Sequence, residues 1–232
     1  CETAKKWKGT YASKQPALVS KNPREIDFVN INSKTLIDST EQISDCAGII
    51  IDMAEMPDMN DAELEAIIVS LASRMKETSM IFLKNHVNRI KELFRLVIEL
   101  KLDGAVVDAS APGGSRIAAC LPTIGLAVKS WNFKENNLKV FIKIDKQPSV
   151  KEMLISVASG CVSIVGPEEK GEIDKNLELN ELELKEWMHE LGIDGLEKIG
   201  RRNLRACNYD TAAISGLRLV GYNKSLPMWL GN

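Results

Sequence analysis

The sequence has few of the residues that build metal centres and disulfide frameworks. It contains five cysteines and two histidines among 232 residues, and no two cysteines form a Cys-x-x-Cys pair. A compact structural zinc or iron–sulfur site needs about four such ligands at short spacings. We therefore expect no metal site built by this chain, and only His86 and His189 are present to supply imidazole.

Excess charge of one sign and long apolar runs are also absent from the sequence. The chain carries 30 Lys and Arg against 32 Asp and Glu. This balance creates no field that attracts nucleic acid or an anionic membrane. No run approaches the roughly 20 apolar residues that span a bilayer, and the polar segment Cys1–Trp7 lacks the apolar core of a secretory signal. The sequence predicts a cytoplasmic protein that binds neither nucleic acid nor a membrane.

Between residues 17 and 166, short apolar runs rich in β-branched residues alternate with amphipathic stretches. This alternation is typical of α/β proteins. Eight is the number of strands in a closed barrel of parallel strands. Eight runs are predicted as strands, namely Ala17–Ser20, Asp27–Ile31, Gly48–Met53, Met80–Asn85, Gly104–Asp108, Leu126–Ser130, Lys139–Ile144 and Cys161–Val165.

Capping signals predict helices between several of these strands. Asn60 with Glu63 has the spacing of a capping box, and so does Ser149 with Glu152. Gly160 suits the C-terminal end of the second helix. The repeated strand and helix units predict a small TIM-like (β/α)8 barrel over residues 1–168.

The predicted barrel is irregular at its beginning. Its first two strands are joined by Lys21–Ile26, which is too short for a crossover helix, since that connection needs at least about 10 residues. An open, doubly wound sheet is therefore the alternative fold.

Residues 169–232 are predicted to form a polar connector and a C-terminal helical tail. A helix is expected over Asn180–Leu191, where Leu184, Trp187 and Met188 share one face. The basic segment Arg201–Arg205 has two interpretations, an anion-binding stretch or a solvated turn between short helices.

Charged residues fall at or near the predicted C-terminal ends of strands, where (β/α)8 barrels place their chemistry. They could serve proton transfer or anion binding, or they could simply be solvated or paired with one another. Lys84 and Asp108 are the strongest catalytic candidates. The full set is Asp52, Lys84, Asp108, Lys129, Lys143 and Asp145.

Leu191–Arg205 and Thr211–Leu219 resemble the segment that follows the flavin-binding barrel in proteins of the glutamate synthase family. In the family, a strand that ends in lysine precedes a strand that ends in aspartate and a glycine-rich loop. Lys84 and Val106–Gly114 follow the same order. The resemblance covers roughly residues 59–219.

The resemblance implies an FMN-dependent oxidoreductase of amino-acid metabolism that converts 2-iminoglutarate to glutamate. It assigns catalytic roles to Lys84 and Asp108. It assigns cofactor contacts to Lys84, Gly113, Gly114, Ser115 and Lys146.

Three departures from the family pattern indicate an eroded site. Arg116 follows the paired glycines, where the backbone should approach a ligand closely. In the loop after the seventh predicted strand, Asp145 repels a phosphate and Pro148 offers no N–H, although Lys146 compensates in part. Gly166–Glu172 contains none of the cysteines that hold the family's iron–sulfur cluster. The sequence therefore predicts that FMN binding and the cluster are lost.

The favoured hypothesis is a degenerate relative, a pseudoenzyme that binds a partner subunit or a different ligand. An intact glutamate synthase-like subunit or a second copy of the chain is the expected partner. One alternative is an active FMN oxidoreductase of glutamate synthase type. A second is a cofactor-free barrel lyase that forms a Schiff base at Lys84 or Lys143.

Overall fold

The computed structural model describes residues 18–19, 27–37, 43–110, 117–167 and 173–223, and the findings below concern these residues. Seven strands form one sheet, hydrogen-bonded in chain order from β1 to β7. The registers of β1 with β2, β2 with β3, β3 with β4, and β6 with β7 are parallel. The strands are β1 Leu18–Val19, β2 Phe28–Ile31, β3 Gly48–Asp52, β4 Met80–His86, β5 Gly104–Asp108, β6 Lys139–Lys143 and β7 Ser163–Val165.

Within the described ranges, six α-helices and three short 3₁₀ turns accompany the strands. The helices are α1 Asp61–Ala72, α2 Ile90–Glu99, α3 Ile117–Ser130, α4 Val150–Ala158, α5 Ile173–Glu190 and α6 Tyr209–Ser215. The 3₁₀ turns are Val87–Arg89, Leu196–Lys198 and Arg201–Asn203. None of the helices in the described ranges combines the length and the hydropathy that crossing a bilayer requires.

The prediction of a closed eight-stranded TIM-like barrel is wrong. Within the described residues the sheet is open, with seven strands and with β1 and β7 as its edges. The run Leu126–Ser130, predicted as a strand, is the last part of α3. Cys120, Ile124 and Val128 are buried at the spacing of a helix face, while Leu126 is exposed. The open sheet of the alternative prediction is closer to the observed fold.

The remaining seven predicted strands are confirmed to within about two residues, and both capping boxes are present. Asn60 Oδ1 accepts from Glu63 N at 3.0 Å, and Ser149 Oγ accepts from Glu152 N at 3.3 Å. Gly160 has φ +93° just after α4, a conformation that glycine adopts without strain. The connection Lys21–Ile26 lies outside the described residues.

The chain divides into two compact units. Unit 1 comprises Cys1–Val107 with Asn137–Lys139, and unit 2 comprises Asp108–Asn136 with Val140–Asn232. Asp108, the last residue of β5, therefore belongs to unit 2, and the rest of that strand belongs to unit 1.

Aromatic rings and close backbone contacts hold the strands of unit 1 together. The rings of Phe28 and Phe82 meet edge to face, with their centroids 5.5 Å apart. A Cβ atom at Gly48 would lie 2.2 Å from the carbonyl oxygen of Met80 and 2.8 Å from the Phe28 ring, so only glycine fits there. Helix α2 packs on β4 through an apolar face that includes Leu93 and Phe94.

In unit 2, the C-terminal helices pack on the helices that precede them. Helix α6 contacts α3, and α5 contacts α4. Lys151 of α4 lies over the ring of Trp187 of α5, with Nζ 4.9 Å from the ring centroid. Arg201 Nη2 donates to the Ser215 carbonyl at 2.6 Å, and Arg205 Nη1 donates to the Arg202 carbonyl at 2.7 Å. Arg201 thus links its turn to the end of α6, and Arg205 stabilises its own turn, while both interpretations of this basic segment stay predictions.

Candidate functional site

Unit 1 contains a buried ion pair at the C-terminal end of two neighbouring strands. Asp52, the last residue of β3, is in register with Lys84 of β4. Residues in register on adjacent strands point to the same face, and Lys84 Nζ donates to Asp52 Oδ2. The two side chains are 7% and 1% exposed, respectively. The mutual attraction of these charges must therefore offset the desolvation of both groups.

The turn after β3 fixes the Asp52 carboxylate. Oδ1 of Asp52 accepts from Ala54 N at 3.2 Å, and the Asp52 carbonyl accepts from Glu55 N at 3.0 Å. Met53 N donates to the Lys84 carbonyl at 2.9 Å, which continues the pairing of the two strands. The carboxylate is thus held by the backbone of its own turn as well as by Lys84.

Two buried polar atoms, for which the described residues offer no hydrogen-bond partner, lie on the same sheet face as this ion pair. Asn30 is in register with Ile50, which shares a face with Asp52, and His86 follows Lys84 by two residues in β4. Asn30 Oδ1 and His86 Nδ1 are buried and have no hydrogen-bond partner among the described residues. Buried polar atoms are satisfied in the great majority of cases. We refer to Asn30, Asp52, Lys84 and His86 as the unit 1 cluster.

The loops after β2 and β3 are joined next to the unit 1 cluster. Asn32 Nδ2 donates to Glu55 Oε2 at 2.7 Å, and Ser33 N donates to the Glu55 carbonyl at 3.2 Å. Asn32 Oδ1 also accepts from Thr35 N at 3.0 Å and so forms a compact turn. These bonds order the loop ends, so the cluster is built on strands whose ends are fixed.

Unit 2 contains a second lysine and carboxylate pair, which we call the unit 2 pair. Lys143, at the end of β6, has its Nζ 3.3 Å from Asp108 Oδ2. The Asp108 side chain is 6% exposed and that of Lys143 is 32% exposed. Oδ1 of Asp108 accepts from Ser110 N at 2.9 Å and also from Ser110 Oγ. This pair therefore combines a buried, oriented carboxylate with a lysine whose side chain is partly exposed.

The strand-end residues from the sequence fall into two groups, and the predicted cofactor contacts form a third. Lys84 and Asp108 lie at strand ends as predicted, and each is paired with an opposite charge of its own unit, as the pairing alternative expects. Lys129 belongs to α3 and is exposed, and Asp145 is an exposed loop residue. The cofactor contacts predicted for Gly113, Gly114 and Ser115 lie outside the described residues.

The loop from Asp145 to Ser149, expected to face a cofactor phosphate, is engaged in protein contacts. Lys146 Nζ lies 2.6 Å from Glu152 Oε1. Burial alone would raise the pKa of Glu152, but hydrogen bonds from Lys146 and Ser149 outweigh it and lower that pKa. The Ser149 side chain already accepts from the first turn of α4, where an anion would bind. These residues do not fit an FMN phosphate.

Sequence reasoning missed Asn30, Asn32, Glu55 and His86. The signal for His86 is its position two residues after Lys84, which places both side chains on one face of a strand. Asn30 is a polar residue inside the apolar strand Phe28–Ile31, which is also visible in the sequence. Among the described residues, no group of three or more His, Cys, Asp and Glu side chains could hold a metal ion.

Comparisons with known proteins add little to this geometry. No protein-family model matches the chain, and no curated protein matches it. The chain is similar to the crystal structure of the enoyl reductase domain of MlnA from the macrolactin biosynthesis cluster of Bacillus amyloliquefaciens, at 12% identity and a TM-score of 0.35. The match covers 75% of this chain and 36% of that chain, and it is too weak to support a functional conclusion.

The glutamate synthase family receives no support from these comparisons. The description of the chain as a glutamate synthase-like TIM barrel is wrong in its fold, because the sheet is open within the described residues. The catalytic and cofactor roles that the resemblance gave to individual residues stay predictions.

Proposed function

We propose that the chain binds a small polar molecule at the unit 1 cluster. The observation that carries this proposal is the pair of buried atoms, Asn30 Oδ1 and His86 Nδ1, that have no partner among the described residues. They share a sheet face with the buried pair Asp52 and Lys84. A ligand beside Asn30 supplies the hydrogen bond that Oδ1 lacks. His86 lies two strands away and four residues beyond Phe82, which is level with Asn30, so only an extended ligand contacts both atoms.

A purely structural role explains these two atoms poorly. A buried acceptor or donor without a partner costs about 1 to 3 kcal/mol of stability, and an apolar residue of similar shape avoids that cost. Buried polar atoms that lack hydrogen bonds in a protein interior occur most often at functional sites. The polar atoms of Asn30 and His86 are therefore better explained by binding than by folding.

The chemistry of the cluster restricts the ligand. Asn30 Oδ1 is an acceptor, so the ligand must present a donor such as a hydroxyl or an amine. The imidazole of His86 can accept or donate at Nδ1, depending on its tautomer. Asp52 and Lys84 neutralise each other, so the site does not require a ligand of large net charge. Hydroxy acids, amino acids and polyols are the compound classes that fit.

The proposal excludes tight binding of FMN. Lys146 is engaged by Glu152, and the N-terminus of α4 is capped by its own serine, which leaves the expected phosphate loop without a ready anion site. Binding to a partner subunit and a cytoplasmic location stay predictions from the sequence.

A thermal-shift screen with hydroxy acids, amino acids, polyols and FMN tests the proposal. A ligand of the first three classes at about 100 times its Kd should stabilise the folded protein by about 2.7 kcal/mol. The substitution Asn30→Leu should abolish this stabilisation. Asn203→Leu is the matched control, because Asn203 is similarly half-buried and its Oδ1 accepts from Gly200 N at 3.1 Å.

Two results would contradict the proposal. A compound that stabilises Asn30→Leu as strongly as the unaltered protein must bind elsewhere. Binding of FMN at micromolar concentration or below, unaffected by Asn30→Leu, would restore a flavoprotein interpretation.

A further inference from the structure

Lys143 combines a partly exposed side chain with a buried carboxylate partner, whereas Lys84 has only the second of these properties. The Lys143 side chain is 32% exposed, whereas the Lys84 side chain is 7% exposed and is paired with Asp52, whose side chain is 1% exposed. Lys143 also lies at a strand end, with Nζ 3.3 Å from a buried carboxylate oxygen of Asp108. A lysine that forms a Schiff base must be accessible, and a positioned carboxyl group can carry the protons that the reaction moves.

Asp108 is held in an orientation that suits this role. Its Oδ1 accepts two hydrogen bonds from Ser110, one from the backbone N–H and one from the hydroxyl. Because Oδ1 is fixed in this way, Oδ2 is kept toward Lys143. Burial of the carboxylate strengthens its attraction for a cation at this position, and that includes the iminium cation of a Schiff base.

We propose that Lys143 forms a Schiff base with the carbonyl group of a small aldehyde or ketone, and that Asp108 transfers the protons. This site lies within unit 2 and is independent of the ligand proposed for unit 1.

Each step of this reaction balances without a further reagent. The Lys143 ammonium gives one proton to Asp108. The free amine then attacks the carbonyl carbon, and an N–C bond forms. The carbonyl oxygen takes a proton from the nitrogen and becomes a hydroxyl. Asp108 then returns its proton to this hydroxyl, the C–O bond breaks, and water leaves. The product is an iminium cation beside the Asp108 carboxylate, so one carbonyl compound is consumed and one water is released.

Reductive trapping on the full-length chain tests the proposal. The probe is glyoxylate with cyanoborohydride, and peptide mass spectrometry gives the rate of labelling at each lysine. Lys146 is the internal control, because it is also paired with a carboxylate and its side chain is more exposed, at 60%. We expect labelling at Lys143 to be at least about tenfold faster than at Lys146, since proton transfer by a positioned group accelerates such steps by this much or more.

Three variants separate reactivity from simple exposure. Lys143→Arg should remove the fast label and leave labelling at Lys146 unchanged. Asp108→Asn should slow labelling at Lys143 about tenfold or more, again without an effect at Lys146. If Asp108→Asn does not fold, Ser110→Ala, which keeps the carboxylate and removes one of its hydrogen bonds, should slow labelling at Lys143 alone.

The proposal is overturned if labelling follows exposure, so that Lys146 reacts as fast as Lys143 or faster. It is also overturned if neither Asp108→Asn nor Ser110→Ala changes the ratio of the two rates. Neither result bears on ligand binding at the unit 1 cluster, which is measured without a reducing agent.

Discussion

Replacement of Lys84 by methionine is the sharpest test of the buried ion pair in unit 1. The substitution keeps a long, unbranched side chain and removes the ammonium group. Asp52, 1% exposed, is then left in a dry environment without the lysine that pairs with it. The hydrogen bond from Ala54 N remains, but it satisfies only Oδ1.

The burial of both groups sets the size of the effect. Removal of one member of a buried ion pair typically costs about 3 to 5 kcal/mol, because the other charge is left uncompensated. Replacement of both members by apolar residues is often neutral or better. We therefore expect Lys84→Met to lose about 3 to 5 kcal/mol, and Lys84→Met with Asp52→Leu to recover most of this loss.

Urea denaturation followed by circular dichroism measures these free energies of unfolding. Lys185→Met is the control, since Lys185 is paired with Glu181 at 2.7 Å on the surface of α5, where the two side chains are 67% and 48% exposed. Such surface pairs contribute about 0 to 1 kcal/mol. If Lys84→Met costs no more than this control, Asp52 and Lys84 are solvated, and the cluster is not the dry site described above.

Three further substitutions test the packing and the electrostatics of the two units. Gly104→Ala would place Cβ 2.0 Å from the Lys139 carbonyl oxygen, so we expect the free energy of unfolding, measured by thermal denaturation, to fall by about 3 kcal/mol or more. Gly200→Ala is the control and should be tolerated, because no atom lies within 4 Å of the added Cβ. The pKa of Glu152 is lowered in the folded protein, so the contribution of this side chain to stability should be present above pH 4.5, its ordinary pKa. This contribution should be lost as the pH falls through the lowered pKa. A Glu152→Gln variant that loses stability with falling pH in the same way as the unaltered protein would refute this. Trp187→Ala should lower the free energy of unfolding by about 1 to 2.5 kcal/mol in the same assay, because packing and the contact with Lys151 are lost. An unchanged melting temperature would show that α5 is an independent appendage.

Local signals in the sequence predicted most of the strands and helices. The sequence did not predict features that depend on contacts between distant residues. The capping boxes at Asn60 and Ser149 depend on residues three positions apart, and both are present in the structure. The run Leu126–Ser130 was mistaken for a strand. A short apolar segment fits both the period of a strand and the period of a helix when the neighbouring residues are ignored. Closure of a barrel depends on pairing between the first and last strands, and no local pattern encodes that pairing.

The candidate site was predicted in part. Lys84, Asp52, Asp108 and Lys143 were recognised as strand-end charges, but the pairs they form follow from strand register, which the sequence does not reveal. His86 was missed because the predicted strand stopped at Asn85, one residue before the end of β4. The register that places Asn30 on the same face is likewise a tertiary property.

The stability of Asn30→Leu tests the central claim most directly, because it requires no knowledge of the ligand. If Asn30 Oδ1 is kept without a partner for binding, leucine removes an unsatisfied acceptor, and the variant should be as stable as the unaltered chain or more stable by about 1 kcal/mol in urea denaturation. A loss of more than about 1 kcal/mol would show that Asn30 serves the fold, and it would contradict a binding role for the unit 1 cluster.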